Sequence, residues 1–326
     1  MHAIRLHAFG PAENLTYEET ERPAPGPGQV RIAVAAAGVH VLDTTLRQGG
    51  PGPYPAPELP TIPGREVAGT VDALGEGVDP AWLGKQVVAH LGMVPGGYAE
   101  AAVTDTDRLH PVPDGLGPAE AVAMIGTGRT TLGILQFAEP GPEDVVLVTA
   151  AAGGIGTLLV QYAKNAGATV IGLAGGPDKT ARVRANGADL AVDYTQPDWP
   201  DRVREFRGDR PVTILFDAVA GDTARAALDL LAPGGRHLAY GWAPGAGPLD
   251  LTDEELADRG ITSTTPLGPA MLEKAGGLRA LETRSLTEAA SGRLRPAVHP
   301  FPLAEAAAAH RALETRGTTG KVVLIP

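Results

Sequence analysis

The sequence contains no cysteine among its 326 residues, and this absence removes several kinds of site at once. Disulfide bridges are excluded, and so is every metal site that uses thiolate ligands. The eight histidines do not compensate, because they are scattered along the chain without the spacing of metal ligands. We therefore predict that the protein holds no metal ion.

Long apolar runs are also missing. No stretch is long enough to span a bilayer, and the first residues, MHAIRLHAFG, lack the apolar core of a signal peptide. The formal net charge of -11 argues against a general affinity for nucleic acid or for an anionic membrane surface. We therefore expect a cytoplasmic enzyme that acts on a small molecule.

Glycine and proline are abundant, with 43 and 30 residues, and they divide the chain into two patterns. The first third contains short strand candidates, such as GQVRIAVAAAGVH from Gly28, separated by glycine turns. The proline-rich segment 49–64 cannot form regular structure, because proline removes backbone donors and fixes φ. A loop of that length is more often functional than idle.

Strands and helices alternate from about residue 121. The strand candidates DVVLVTA, TVIGLAG, LAVDY and VTILFDAVA are separated by helical segments, which predicts a doubly wound parallel sheet in an α/β domain. The last strand, KVVLIP, is expected to pair back into the first domain. We predict one domain from residues 1–120 with 267–326, a second from 121–266, and an active site in the cleft between them.

A glycine turn, Ala151-Ala152-Gly153-Gly154-Ile155-Gly156, follows the first of these strands and opens a helix. It has the G-x-G-x-x-G spacing with alanine in the first place. Gly153 lets the backbone approach a pyrophosphate, Gly156 lets the helix lie close to the strand, and the helix N-terminus faces the anion. Because the turn lies in a βαβ unit, we predict a dinucleotide site.

The choice of dinucleotide depends on the end of the next strand. NAD-binding folds usually place a carboxylate there for the ribose hydroxyls, but this strand ends in Ala174-Gly175-Gly176. Lys179, one helical turn on, and the hydroxyl of Tyr194 can reach a 2′-phosphate. Together, these features favour NADP(H). Asp178 could bind a ribose instead. Considered alone, Lys179 would be interpreted as a solvated helix lysine and Tyr194 as a packing residue at the end of a strand.

The chain resembles the quinone oxidoreductases, zeta-crystallin-like members of the zinc-free medium-chain dehydrogenase/reductase superfamily. The resemblance rests on seven segments, which follow one another in that family's order. They are GVHVLDTTLRQG, PGREVAGTV, GTGRTTLG, AAAGGIGTLLVQYAKNAGATVIG, FDAVAG, AYG and ETRGTTGKVVLIP. It implies a GroES-like β-rich catalytic domain, a Rossmann domain and a homodimer joined through the strand near 260–266. It also implies NADPH-dependent reduction of quinones or α,β-unsaturated carbonyls.

Matching positions imply the cofactor contacts. They are Thr130, Gly153, Gly154, Ile155, Gly156, Gly175, Lys179, Tyr194, Tyr240, Gly241 and Arg316. Thr130 would lie on the nicotinamide side. Without the resemblance, Arg316 is only a polar residue after a helix.

The catalytic candidates lie where the chain departs from the family pattern. His40 replaces a common asparagine, and it is our first candidate for the proton donor because imidazole titrates near neutral pH. Asp43 could orient His40, but we expect it to pair with Arg47 four residues later on a short helix. Tyr54, in the proline-rich segment, is a further candidate donor, and Trp242 a candidate wall for a flat substrate.

Zinc enzymes of the superfamily have a histidine where this chain has Arg65, next to Glu66. Since catalytic zinc needs three protein ligands, we expect Glu66 to be a buried carboxylate paired with Arg65 or Arg47. Two alternatives to a quinone reductase stay open: an enoyl or alkenal reductase of a biosynthetic pathway, and an NADPH-binding protein without catalysis.

Overall fold

The computed structural model describes residues 1–50, 57–242 and 247–326. The strands, in chain order, are β1 (His2–Leu6), β2 (Leu15–Glu19), β3 (Gln29–Val39), β4 (Glu66–Leu74), β5 (Gln86–His90), β6 (Ala101–Asp105), β7 (Leu109–Pro111), β8 (Val145–Val148), β9 (Thr169–Ala174), β10 (Leu190–Asp193), β11 (Val212–Asp217), β12 (Leu231–Ala239), β13 (Thr262–Thr264), β14 (Val298–Pro302) and β15 (Lys321–Ile325).

The α-helices are α1 (Val41–Arg47), α2 (Pro118–Ala123), α3 (Arg129–Leu135), α4 (Gly154–Asn165), α5 (Pro177–Ala185), α6 (Trp199–Arg207), α7 (Gly221–Leu228), α8 (Asp253–Arg259), α9 (Pro269–Ala275), α10 (Leu278–Ala290) and α11 (Ala306–Glu314). A π-helical turn, Met124–Gly128, joins α2 to α3. Among the described residues, none of the helices combines the length and the apolar content of a membrane span.

The first compact unit consists of residues 1–127, 285–290 and 296–326. Its main sheet has the strand order β14-β15-β3-β4-β5-β7, with β6 also paired to β3, and β1 and β2 form a separate hairpin. The alternating apolar residues of β3 point into the core, where Val30 and Ile32 are fully excluded from water. The final strand β15 pairs antiparallel with β3, so the predicted return of KVVLIP to the first domain is confirmed.

The second unit consists of residues 128–284 and 291–295. It is a six-stranded parallel sheet with the order β10-β9-β8-β11-β12-β13. The strands are apolar on both faces, as a parallel sheet covered by helices requires, and Val145, Leu147 and Ile171 are fully buried. The predicted doubly wound α/β domain is confirmed.

The observed division differs from the predicted boundaries in three segments: residues 121–127 belong to the first unit, and residues 267–284 and 291–295 belong to the second. The segment 267–284 is the longest of the three. The reason is side-chain packing that has no signature in sequence. Met271 of α9 fills the space beside Gly133 of α3, where a Cβ would lie 2.3 Å from the Met271 sulfur. Arg129 also donates to Glu282 at 2.8 Å.

Candidate active site

The glycine turn holds α4 against the end of β8. Gly153 caps α4, which begins at Gly154. A Cβ on Gly156 would lie 2.3 Å from the Ala150 carbonyl oxygen and 2.7 Å from the Ala151 Cα, so a side chain cannot fit without moving the backbone. Gly156 therefore provides the close helix–strand approach that the sequence predicts. The half-buried turn presents the first N–H groups of a twelve-residue helix, a ready anion site.

The ends of β9 and β10 bring Gly175 and Tyr194 together. A Cβ on Gly175 would lie 3.3 Å from the Tyr194 hydroxyl, so the tyrosine covers the position where other dinucleotide folds carry an acidic side chain. Lys179 lies half-buried in the first turn of α5, and Asp178 beside it is exposed. The strand end thus presents a lysine and a hydroxyl.

Asp193, which sequence reasoning passed over, shapes this strand end. Its Oδ1 accepts the Gly176 N–H at 2.9 Å, the Thr195 N–H at 3.0 Å and the Thr195 hydroxyl at 2.7 Å. The backbone bond from Gly176, helped by the Thr195 hydroxyl, lowers the pKa of Asp193. The carboxylate is therefore committed to holding the turn, and its only signal in sequence is its place at the end of a buried strand.

The remaining predicted cofactor residues have varied surroundings. Tyr240 is buried, and its hydroxyl donates to the Thr149 carbonyl at 3.5 Å; burial and the nearby Asp217 raise its pKa. Gly241 lies beside Ala218 at ordinary contact distance, and Thr130 is half-buried on α3. Arg316 is exposed in the first unit, after α11, with a φ of 57°.

A cluster of three charged or titratable side chains lies in the first unit. Nε2 of His40 is 2.6 Å from Oε1 of Glu66, and the Lys321 ammonium is 3.0 Å from Oε2 of the same carboxylate. The Lys321 nitrogen is also 2.7 Å from Nε2 of His40. Glu66 and Lys321 are 1% and 4% exposed, whereas the His40 side chain is 36% exposed. The His40 ring is therefore the part of the cluster that solvent reaches, and the charged groups of Glu66 and Lys321 are buried beside it.

Two glycines make room for the Glu66 carboxylate. A Cβ on Gly38 of β3 would lie 2.4 Å from Oε2, and a Cβ on Gly126 would lie 1.6 Å from Oε1. Gly126 belongs to the π-helical turn, a type of irregularity often found at functional sites. The sequence shows the glycines, but only the fold shows that they line one carboxylate.

The charge state of Glu66 follows from this packing. Burial by itself raises the pKa of the carboxyl, but His40 and Lys321 outweigh burial and hold the pKa of Glu66 well below its usual range. Glu66 is therefore an ionised carboxylate at neutral pH. Glu66 is the buried, paired carboxylate that the sequence predicts, but its partners are His40, the N-cap of α1, and Lys321 of β15, whereas Arg47 pairs with Glu314.

The predicted pairing of Asp43 with Arg47 is wrong. Asp43 is buried and accepts the His40 backbone N–H at 2.8 Å and the Tyr98 hydroxyl at 3.0 Å. Arg47 forms an ion pair with Glu314 of α11 instead, a tertiary contact that replaces the local i,i+4 pair. Asp43 thus fixes the backbone of His40. Tyr54 lies outside the described residues, and Trp242 is exposed.

Comparison with known proteins gives matches over the whole chain. Residues 26–114 match the alcohol dehydrogenase GroES-like domain, and residues 154–274 match the zinc-binding dehydrogenase family. The chain is 34% identical to a 2-haloacrylate reductase of Burkholderia sp., covering 99% of this chain and 98% of that protein. It is also 34% identical to a quinone oxidoreductase of Pseudomonas aeruginosa, covering 99% of both.

A solved structure agrees with the sequence relatives. The quinone oxidoreductase of Escherichia coli in complex with NADPH superposes with a TM-score of 0.85 at 29% identity, covering 100% of both chains. The similarity therefore extends to both compact units.

Replacing Gly126 by alanine tests the glycine cradle. The new Cβ displaces the Glu66 carboxylate from its partners, and disrupting a buried ion pair costs roughly 3–5 kcal/mol. We expect the thermal unfolding midpoint to fall by about 10 °C, although alanine for glycine in a helical turn alone would stabilise.

Gly141→Ala is the matched control, since a Cβ there meets no atom within 4 Å. In a Glu66→Ala background the cost of Gly126→Ala is expected to shrink. An equal cost in both backgrounds would show that the carboxylate is not what Gly126 accommodates.

Proposed function

Because the chain belongs to the quinone oxidoreductase family of medium-chain dehydrogenases/reductases, we propose that it is an NADPH-dependent reductase of quinones or α,β-unsaturated carbonyl compounds. The observation that carries the proposal is the strand end at Gly175, which has a lysine and a tyrosine hydroxyl in place of a ribose-binding carboxylate. The glycine turn of the same βαβ unit supplies the anion site beside it.

Each part of this unit fits a part of NADPH. The N-terminus of α4 suits the pyrophosphate, because its free N–H groups and dipole favour an anion. Lys179 and Tyr194 suit the 2′-phosphate as charge and hydrogen-bond donor. Thr130, Tyr240, Gly241 and Arg316 remain predicted contacts. When bound, NADPH supplies a hydride to the substrate.

The protein must then supply a proton. Hydride addition to a quinone or to the β-carbon of an enone leaves negative charge on oxygen, which needs a hydrogen-bond donor and finally a proton. His40 is the proposed donor, because its ring is partly exposed while Glu66 and Lys321 hold its Nε2. Asp43 is proposed to orient it through the backbone.

The residues present do not fit a catalytic zinc ion, and we propose that the enzyme works without one. Thiolates are absent from the sequence, and Arg65 stands in place of the family's histidine ligand. The Lys321 ammonium lies against His40 and Glu66, so a cation already contacts both groups that could contribute to a site. Within the described residues, no group of three or more His, Asp or Glu side chains is arranged to hold a metal.

A second candidate function is reduction of a conjugated carbon–carbon double bond alone. It is favoured by the relative named 2-haloacrylate reductase, since an acrylate carries its double bond beside a carboxylate. In either case the partner is a small molecule, and a cytoplasmic location without a nucleic-acid or membrane partner is part of the proposal.

A panel of acceptors decides between these functions. The loss of NADPH absorbance is followed with simple quinones, enones and 2-haloacrylates, before and after dialysis against a chelator. We expect turnover with quinones that the chelator does not change. Turnover with enones or acrylates alone supports the second candidate, and tight NADPH binding without turnover points to a protein that does not catalyse.

Replacing Lys179 by methionine tests the cofactor preference. The loss of a charged hydrogen bond to the 2′-phosphate costs about 1.5–3 kcal/mol, so the KM for NADPH should rise about 10- to 100-fold while that for NADH is unchanged. The exposed Lys85 gives the control Lys85→Met. Equal effects on both cofactors would remove Lys179 from 2′-phosphate recognition.

We propose a homodimer joined through β13, the edge of the described parallel sheet. An exposed edge strand is a template for pairing with a second copy. Light scattering should give twice the mass of the 33.4 kDa chain. Thr262→Lys with Thr264→Lys should lower the mass towards one chain, because like charges would face each other; a wild-type monomer would contradict the proposal.

A further inference from the structure

Two partners compete for one ring nitrogen of His40. Nε2 is 2.6 Å from Oε1 of Glu66 and 2.7 Å from Nζ of Lys321. An imidazole nitrogen carries either a proton or a lone pair in the ring plane, never both. Nε2 can therefore donate to the carboxylate or accept from the ammonium, but it cannot do both at once.

The two partners act on the ring with opposite sign. Glu66 stabilises a proton on Nε2 and a positive ring, whereas Lys321 repels that positive charge and favours a bare Nε2. Both partners are nearly excluded from water, at 1% and 4% exposure, so solvent screens them little. The balance between them determines the state of the ring.

We propose that Glu66 and Lys321 are positioning residues that together set the charge and tautomer of His40, so that Nδ1, the second ring nitrogen, delivers the proton consumed in the reduction. This inference rests on the reductase function proposed above. It adds Lys321, which the sequence analysis did not single out, and gives Glu66 a role other than metal binding.

The backbone around the cluster holds these groups in place. Lys321 begins β15, and its N–H donates to the Ala297 carbonyl at 2.8 Å. Glu66 begins β4 and lies against glycines 38 and 126. His40 caps α1, with its N–H bonded to Asp43. The position of the His40 ring is thus determined by residues of three separate elements, β15, β4 and α1.

Three other charged or titratable groups lie near the cluster, and none of them is substituted in the experiment below. Asp43 of α1 lies at the His40 backbone, and Arg65 precedes Glu66 in a buried position. His90 of β5 is the register partner of Glu66 across the sheet, and its positive form lowers the pKa of Glu66 further.

The proton step balances as follows. A hydride has added to the substrate, which carries a negative oxygen. The Nδ1–H bond of the imidazolium breaks, its electron pair stays on the ring, and an O–H bond forms on the substrate. The neutral ring keeps its proton on Nε2, beside the Glu66 carboxylate, and water restores the Nδ1 proton because the side chain is 36% exposed.

The experiment measures the protonation of the His40 ring and the rate of the reaction separately. The His40 ring is titrated by nitrogen NMR in the full chain, with His40→Asn to assign its signals. Lys321→Met should raise the titration midpoint of the ring by at least one pH unit, and Glu66→Gln should lower it by a similar amount. Lys321→Arg should stay near the wild type, and Lys85→Met should have no effect.

The pH profile of kcat/KM provides the catalytic readout. A shift of one pH unit in the titration midpoint of the ring changes the ratio of protonated to neutral His40 tenfold at a given pH. The limb of the profile that is due to His40 should therefore move to higher pH in Lys321→Met and to lower pH in Glu66→Gln. His40→Asn should lose that limb and about 10²-fold or more in rate, the usual contribution of a general acid.

Removing Lys321 alone leaves a buried carboxylate without its lysine, so folding is checked by thermal unfolding. The double variant Lys321→Met with Glu66→Gln removes both charges together. Its ring should titrate between the two single variants and lose the fixed Nε2–H tautomer. A double variant that keeps the wild-type tautomer overturns the proposal even where the single variant does not fold.

The outcomes separate this proposal from the proposed function. Single variants that leave the titration of the ring unchanged overturn the proposal, while turnover with quinones still supports the reductase. Opposed titration shifts with an unchanged pH profile also overturn it, because the ring is then not the donor. If the titration midpoint of the ring shifts in opposite directions in the two variants but no acceptor is turned over, the reductase function and the proton step are both overturned. Only the effect of Glu66 and Lys321 on the His40 ring is then supported.

Discussion

A buried carboxylate, Glu66, is the constraint around which the first unit is organised. An ionised group that is 1% exposed is tolerated only when opposite charge and close packing replace the water it has lost. Lys321 and His40 supply the charge, and two glycines supply the space. Glycine at position 126, in the π-helical turn, is explained by the same need, since a side chain there would occupy the position of the carboxylate.

The second unit depends on a backbone constraint rather than on charge. Helix α4 must approach strand β8 within contact of the Ala150 carbonyl, and only glycine at 156 allows it. That approach places the first N–H groups of α4 where an anion is proposed to bind, and Asp193 holds the neighbouring turn closed. In the proposed cofactor site, the small residues Ala174 and Gly175 place no carboxylate at the end of the strand that precedes Lys179.

The zinc-containing relatives of this superfamily illustrate how one scaffold supports different chemistry. Here a histidine and a glutamate that could bind a cation are already engaged by the ammonium of a lysine from the last strand. The positive charge is covalently attached, so it polarises and positions without exchanging ligands. The proposed reaction suits such a site, because quinones and enones accept hydride readily and need mainly a well-placed proton.

The sequence by itself determined the two-domain class, the parallel sheet, the glycine turn and the acid-free strand end, because these follow from local periodicity and from residues adjacent in the chain. It also directed attention to His40. Tertiary structure alone decided that Lys321 meets Glu66, that Arg47 pairs with Glu314, and that 267–284 packs with the second unit. These contacts join residues more than a hundred positions apart in the chain. Whether a charge is buried, and which group lies beside it, therefore depends on the assembled sheet rather than on spacing along the chain.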